Sequence, residues 1–198
     1  MLTSSHILIG AAVTSRTRFK PWQLMLAWVG GFMPDSFIFV MVALSRMVNG
    51  PGFDLWSYPN GLYWQQPWQT FSSIANSFPL WTLVLLIGFL LFKYSSRFKI
   101  VGLGILIFSV GYFLHISVDF FTHADDAYPQ FWPFTDWRFN SPISYWQPEY
   151  YGRIFGVVEA ITGFSIMVYL VMKFKQWPIR IAAVLMVLPY PVSLWLHF

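Results

Sequence analysis

His115, Asp119 and His123 follow one another at four-residue intervals. On an α-helix each such step turns by about 40°, so the three share one face within an arc of about 80°. Two imidazoles flanking a carboxylate make a ligand set suited to a divalent ion. Zn²⁺ is the first expectation and Mn²⁺ or Fe²⁺ the alternatives, since without thiolates nothing selects strongly among them. The outer Cα atoms of the triplet lie about 12 Å apart on a straight helix, too far for easy capture of one ion by all three. Two adjacent ions, or one ion with His123 reaching back from a frayed helix end, suit the spacing better. Asp125 and Asp126 follow at once. They add carboxylates at the mouth, as outer ligands or as acceptors for imidazole N–H groups.

Three more ionisable residues stand in apolar surroundings: His6, Asp35 and Glu159. An acid such as Asp inside a bilayer costs at least about 2.5 kcal/mol, so it faces a partner or a cavity. His6 lies in the outer part of the first apolar segment. Asp35 falls midway along the second, and Glu159 within two turns of the outer end of the fifth. With His115 and Asp119 in the outer half of the fourth, these groups share overlapping depths. Asp35 also has a plainer reading, as the cap of the helix half that follows Pro34. His197, at the end of the last segment, reads as an ordinary interior histidine.

The elements that must position these residues are membrane helices. Of 198 residues 57% are hydrophobic and only 10% charged, against about 25% charged in an average soluble domain. The mean hydropathy is +0.55. These values exclude a soluble domain, a disordered chain and a disulfide-stapled scaffold, and leave an all-α, polytopic transmembrane helical bundle. With no cysteine, disulfides, thiolate zinc sites, iron–sulfur clusters and cysteine nucleophiles are all impossible. The net charge of +4 fits cationic cytoplasmic loops, and no solvated basic face is present to carry nucleic acid.

About five spanning helices plus a short N-terminal helix are expected, all within one integral membrane domain covering residues 1–198. The short segment, 3–14, rises only about 18 Å against a hydrocarbon core of about 30 Å, so it stops part-way or tilts against its neighbours. The spans are 22–48, 78–92, 100–122, 154–174 and 179–197. A break is expected near Met33 ahead of Pro34, and Pro189 and Pro191 should distort the last span. Arg16, Arg18, Lys20, Lys93, Arg97, Lys99, Lys173, Lys175 and Arg180 fall on one side when the segments alternate. Arg46, Arg138 and Arg153 fall on the other. By the positive-inside rule the first side is cytoplasmic. The long loops 49–77 and 124–152 then face the periplasm or exterior, together with the site. Both loops are rich in aromatics, which suit a belt at the headgroup level or a lid over a site for an amphipathic or sugar-bearing substrate.

Ser5-His6, the run Gly-Gly-Phe-Met-Pro-Asp ending at Asp35, and Leu114-His115-x3-Asp119-x3-His123 followed by Phe131-Trp132-Pro133-Phe134 together resemble the bacterial inner-membrane metal-dependent hydrolases. That family includes LexA-regulated membrane-bound members. The stretch from His123 to Trp146 looks like a narrower subgroup, often labelled cobalamin-biosynthesis proteins. Such a label implies a glutaminase cysteine and a phosphate-binding Gly-rich loop, and neither is present. The order of the motifs is also distantly similar to zinc-dependent phospholipase C. Where the wider family has a His-Ser-Leu element, this chain has Asn76-Ser77-Phe78. The site then has one ligand fewer, or Asn76 orients water or substrate.

The leading expectation is a hydrolase of the bacterial inner membrane, acting on a phosphoester or lipid-linked substrate drawn from membrane lipid. His6, Asp35, His115, Asp119 and His123 would hold one or two ions, and an acidified water would attack the ester. Glu159 would complete the metal sphere or act as general base. Two alternatives stand beside it: a proton- or ion-coupled transporter, and a non-catalytic scaffold with a structural metal.

Overall fold

A computed structural model describes residues 1–15 and 19–197 of the chain. Arg16, Arg18 and the side chain of His197 lie outside the described parts. Every regular element among the described residues is helical. α1 is Thr3–Thr14, α2 Pro21–Phe32, α3 Ser36–Asn49, α4 Trp68–Ala75, α5 Phe78–Tyr94, α6 Lys99–Phe120, α7 Gly152–Lys173, α8 Trp177–Leu185 and α9 Pro189–His197.

The expected break ahead of Pro34 is a single 3₁₀ turn, Met33–Asp35, linking α2 to α3. The two helices remain one 29-residue apolar rod, Pro21–Asn49. α6, α7 and the pair α8–α9 are also long and apolar enough to cross a membrane. α5 has 17 residues, so it rises only about 25 Å. It joins α4 across a 48° bend at the Asn76-Ser77 step, and the bent pair can be counted as one span. The structure thus gives four candidate spans, or five with that pair, where five were expected.

α1 is too short to cross, and instead of lying at the periphery it is wedged among α2, α6 and α7. Small residues permit this. A Cβ at Gly31 would stand 2.8 Å from the His6 carbonyl oxygen, and one at Gly10 would stand 3.1 Å from that of Ala27. Only glycine lets the backbones of α1 and α2 approach so closely, as in other helix contacts within lipid. Leu8, Ala11 and Leu24 then join Ala160, Leu170, Ala183 and Tyr190 in one apolar core between α1, α2 and α7–α9. The Lys173 ammonium donates to the Ser15 carbonyl at 2.9 Å. That bond fixes the C-terminal ends of α1 and α7 at one end of the bundle, beside the cationic α5–α6 and α7–α8 turns.

Large apolar side chains cover the outer faces of the helices. Leu83, Leu86 and Leu90 of α5 and Ile154, Val158 and Ile161 of α7 are all exposed. Such a surface is unfavourable in water and natural in lipid. This is a membrane protein.

The two long loops close the other end. Tyr63 and Tyr128, one from each loop, pack with Met41 of α3. Tyr63 N–H donates to the Leu55 carbonyl at 2.9 Å, and Ser141 N–H to the His123 carbonyl at 2.9 Å. Some loop aromatics, including Tyr58, Phe134 and Tyr151, are well exposed, as a headgroup belt requires. Trp56, Tyr128 and Tyr145 instead line a cavity at the bundle end.

Candidate metal centre

Three elements meet beneath this roof. α1 contributes His6, the α2–α3 turn contributes Asp35, and the last turns of α6 contribute His115 and Asp119. His6, His115 and Asp119 are each at most 2% exposed. The two imidazoles stack with ring centroids 3.6 Å apart and an interplanar angle of 16°.

The contacts are those of ligands grouped around a point. His6 Nε2 lies 2.9 Å from Asp119 Oδ1, and His115 Nε2 lies 3.0 Å from Asp119 Oδ2. Asp35 Oδ1 is 3.5 Å from His115 Nε2. One ligand atom from each of His6, His115 and Asp119 falls within 4.8 Å of the other two. A tetrahedral zinc with bonds near 2.0–2.1 Å has ligand–ligand edges of about 3.3 Å. The observed separations bracket that value. Despite their proximity to carboxylates, neither His6 Nε2 nor His115 Nε2 has hydrogen-bond geometry.

His115 makes the chemistry explicit. Its Nδ1 lies 2.7 Å from the Gly31 carbonyl oxygen. A carbonyl only accepts, so Nδ1 carries the hydrogen and a neutral His115 presents the bare lone pair of Nε2 to Asp119 and Asp35. A lone pair facing two carboxylates in a buried place is unfavourable unless a second ring proton or a bound cation stands between them. The Nδ1–carbonyl bond is also the kind of outer contact that orients ligating histidines. A divalent ion fits this donor set, and the buried His6–His115–Asp119 group could bind one.

His123 takes a different position from the two inner histidines. α6 stops at Phe120, so His123 leaves the helical face and turns back. Its Nε2 is 3.5 Å from Asp119 Oδ1 and its Nδ1 is 2.9 Å from Asp126 Oδ2. Asp126 in turn accepts from the Trp146 indole at 3.1 Å. Burial alone would lower the His123 pKa, but Asp119 and Asp126 raise it to about 9. Asp126 is held below the usual carboxylate range, against its burial, by His123 and Trp146. Among the described residues His123 falls outside the compact ligand group, in line with the 12 Å length of the triplet.

The remaining candidates have other partners. Asp35 makes no side-chain capping bond to α3. It accepts instead from the Thr3 hydroxyl at 2.5 Å, and it borders the cavity. Glu159 accepts from Leu2 N–H at 2.7 Å and from the Ser5 hydroxyl at 2.5 Å, and Ser5 Oγ lies 2.9 Å from the Tyr190 hydroxyl. Its carboxylate therefore sits at the N-terminus of α1, where unpaired N–H groups and the helix dipole favour an anion. It holds the turn that carries His6. Asp125 is exposed and accepts from Gln147 and Tyr150, fastening the loop. Asn76 is buried at the end of α4 and donates to the Ser72 carbonyl at 3.0 Å. Its Oδ1 has no partner among the described residues. The amino group of Met1 lies 3.0 Å from Asp119 Oδ1.

Thr3, the Gly31 carbonyl and the Ser5–Tyr190 pair escape sequence reasoning. The Gly-Gly step before Met33 was the only signal, and it marks close approach without naming the partner. Over the centre lies a cavity of about 190 Å³. Asp35, Asp119 and His123 form its polar side, Trp56, Tyr128 and Tyr145 its aromatic side.

Fold and site together define the class: an all-α membrane protein with a buried histidine–aspartate group able to hold a metal ion. No protein-family model, no curated protein and no solved structure matches the chain.

Proposed function

We propose that the protein is a metal-dependent hydrolase of phosphoesters, working from within the membrane on lipid or lipid-linked substrates. One observation carries the reading: buried His6, His115 and Asp119 converge, with Asp35 beside them, and Asp35 and Asp119 border a cavity. A bound divalent cation, with zinc the first candidate, supplies Lewis acidity that acidifies water and offsets phosphoryl charge.

The chain's own groups do the rest. His6, His115 and Asp119 bind the ion, and the Gly31 carbonyl fixes the ring of His115. Asp35, at the cavity edge, accepts a proton from the attacking water as its oxygen bonds to phosphorus. The phosphorus–oxygen ester bond breaks. His123, held through Nδ1 by Asp126, gives a proton to the departing alcohol oxygen. Glu159, which sequence alone suggests as ligand or base, acts by placing α1. The exposed Phe39 at the cavity rim suits lateral access from lipid. The resemblance to bacterial inner-membrane hydrolases supports this reading. So does the position of the site at the end of the bundle opposite the cationic turns, which by the positive-inside rule suits a site facing the external side of the bacterial inner membrane.

Metal analysis of the purified protein is the first test. One zinc per chain is expected, lost in His115→Ala and Asp119→Ala. Phosphate or phosphomonoester release from phospholipids and isoprenoid phosphates, absent in both variants, is the second. A wild type that binds no stoichiometric divalent metal refutes the proposal.

A further inference from the structure

The end of the bundle opposite the metal centre carries charge with no counterpart in the chain. We infer that the turn between α5 and α6 docks an anionic phospholipid, whose phosphodiester meets Lys93, Arg97 and Lys99 in the leaflet at that end.

Acids and bases are segregated along the sequence. None of the eight acidic residues lies between Asp54 and Asp119 or beyond Glu159, so none falls in α5, the α5–α6 turn or the α7–α8 turn. Among the described residues the ion pairs involve only histidines and the Met1 amino group. Counter-charge for the cationic end must come from outside the chain.

The α5–α6 turn is where that need is greatest. Lys173 is committed to the Ser15 carbonyl, and Arg180 donates through Nε to the Phe174 carbonyl at 2.7 Å. Lys93, Arg97 and Lys99 are exposed and rest on aromatic faces instead. Lys93 lies over Tyr94 at 5.0 Å, Arg97 over Phe98 at 5.2 Å and Lys99 over Phe92 at 5.5 Å. A ring face steadies a cation and leaves its N–H groups free to donate. The start of α6 has neither a side-chain cap nor an acid in its first turn, which adds to the positive field there.

The level and the neighbours suit a lipid better than a soluble anion. A Cβ at Gly102 would stand 2.8 Å from the Gly88 carbonyl oxygen, so α5 and α6 touch close to the turn and hold the three cations together. With its rise of about 25 Å against a hydrocarbon core of about 30 Å, α5 draws this turn to the phosphate level rather than out into water. Exposed Phe89, Ile100 and Val101 then offer apolar surface to acyl chains directly beside the charges.

The test is native mass spectrometry of the full chain in uncharged detergent, titrated separately with phosphatidylglycerol, phosphatidylcholine and glycerol 3-phosphate. Each cation is worth about fivefold in affinity for an anionic headgroup, so phosphatidylglycerol should bind on the order of 100-fold more tightly than phosphatidylcholine. Lys93→Gln should weaken phosphatidylglycerol binding about fivefold, and K93Q/R97Q/K99Q should abolish the preference. R46Q/R153Q, which removes two exposed cations from the other end, should keep it. The wild type alone decides if the triple variant does not fold: raising salt from about 0.1 M to about 1 M cuts the screening length from about 10 Å to about 3 Å and should erase the preference. Equal binding of the two lipids at low salt, or a preference that survives the triple substitution or high salt, overturns the inference. So does an equal loss in R46Q/R153Q. Glycerol 3-phosphate bound as tightly as phosphatidylglycerol assigns the turn to a soluble anion and likewise overturns it. No readout here requires a metal, so the result is independent of the hydrolase reading.

Discussion

Replacement of Glu159 separates two roles that one carboxylate could play. In the structure a single oxygen, Oε1, receives both Leu2 N–H and the Ser5 hydroxyl, at the residue before His6. Glu159→Ala removes the acceptor of both bonds. The Ser5 proton can turn to Tyr190, 2.9 Å away, but the Leu2 N–H is left without a partner, at about 1–3 kcal/mol. Adding the lost charge-assisted bond raises the total to roughly 2–4 kcal/mol against docking of the first turn of α1. Because that turn carries His6, metal affinity can weaken by as much as about 30- to 1000-fold. Glu159→Gln keeps an acceptor oxygen at the same place. Its bonds are neutral and about half as strong, so a loss near 1 kcal/mol, about fivefold, is expected. Competition against a chromophoric chelator in detergent reads both values. A Gln variant as damaged as the Ala variant refutes the positioning role and returns the carboxylate to the metal. A Gln variant with full zinc but no hydrolysis makes Glu159 the general base after all.

Asp125→Asn should leave zinc stoichiometry unchanged, because Asp125 bonds Gln147 and Tyr150 at the exposed loop; loss of metal there would place Asp125 in the coordination sphere. Gly31→Ala forces a Cβ to 2.8 Å from the His6 carbonyl oxygen, overpacking that costs about 1–3 kcal/mol. It should lower both thermal stability and zinc affinity, and an unchanged zinc affinity would show that the α1–α2 contact does not set the site. Metal binding requires both imidazole Nε2 atoms free of protons, so metal affinity should fall as the pH is lowered. A slope of zero in a metal titration over pH 5–7 would remove the histidines from the ligand set.

Much of the architecture was legible in the residue order. The apolar runs, the sparse charges and the absence of cysteine dictate a helical membrane chain, because only internally hydrogen-bonded helices or closed barrels survive in lipid. Pro34 fixed the interruption between α2 and α3, since proline removes an N–H and disfavours a helical residue before it. The depth of His6, Asp35, His115 and Asp119 was likewise readable from their places along the segments. The segment that became α5 was readable too, but α4, inside the expected loop, and its bend against α5 were not. Helix length against bilayer thickness is a sum over local choices, and the turn at Asn76-Ser77 is decided by the loop packed on it, where Phe78 N–H donates to the Gln130 carbonyl at 2.8 Å.

Direction is what the sequence withheld. Periodicity gives the face a side chain occupies, but helix rotation and approach are set by contacts between segments far apart in the chain. So the Gly31 carbonyl that orients His115, the end of α6 that frees His123 toward Asp126, and the use of Glu159 at the head of α1 emerge only in three dimensions. The residue types determined which chemistry is available to this protein; the close passage of α1, α2 and α6 decided which of those residues meet. Backbones can pass that closely only where glycine leaves room.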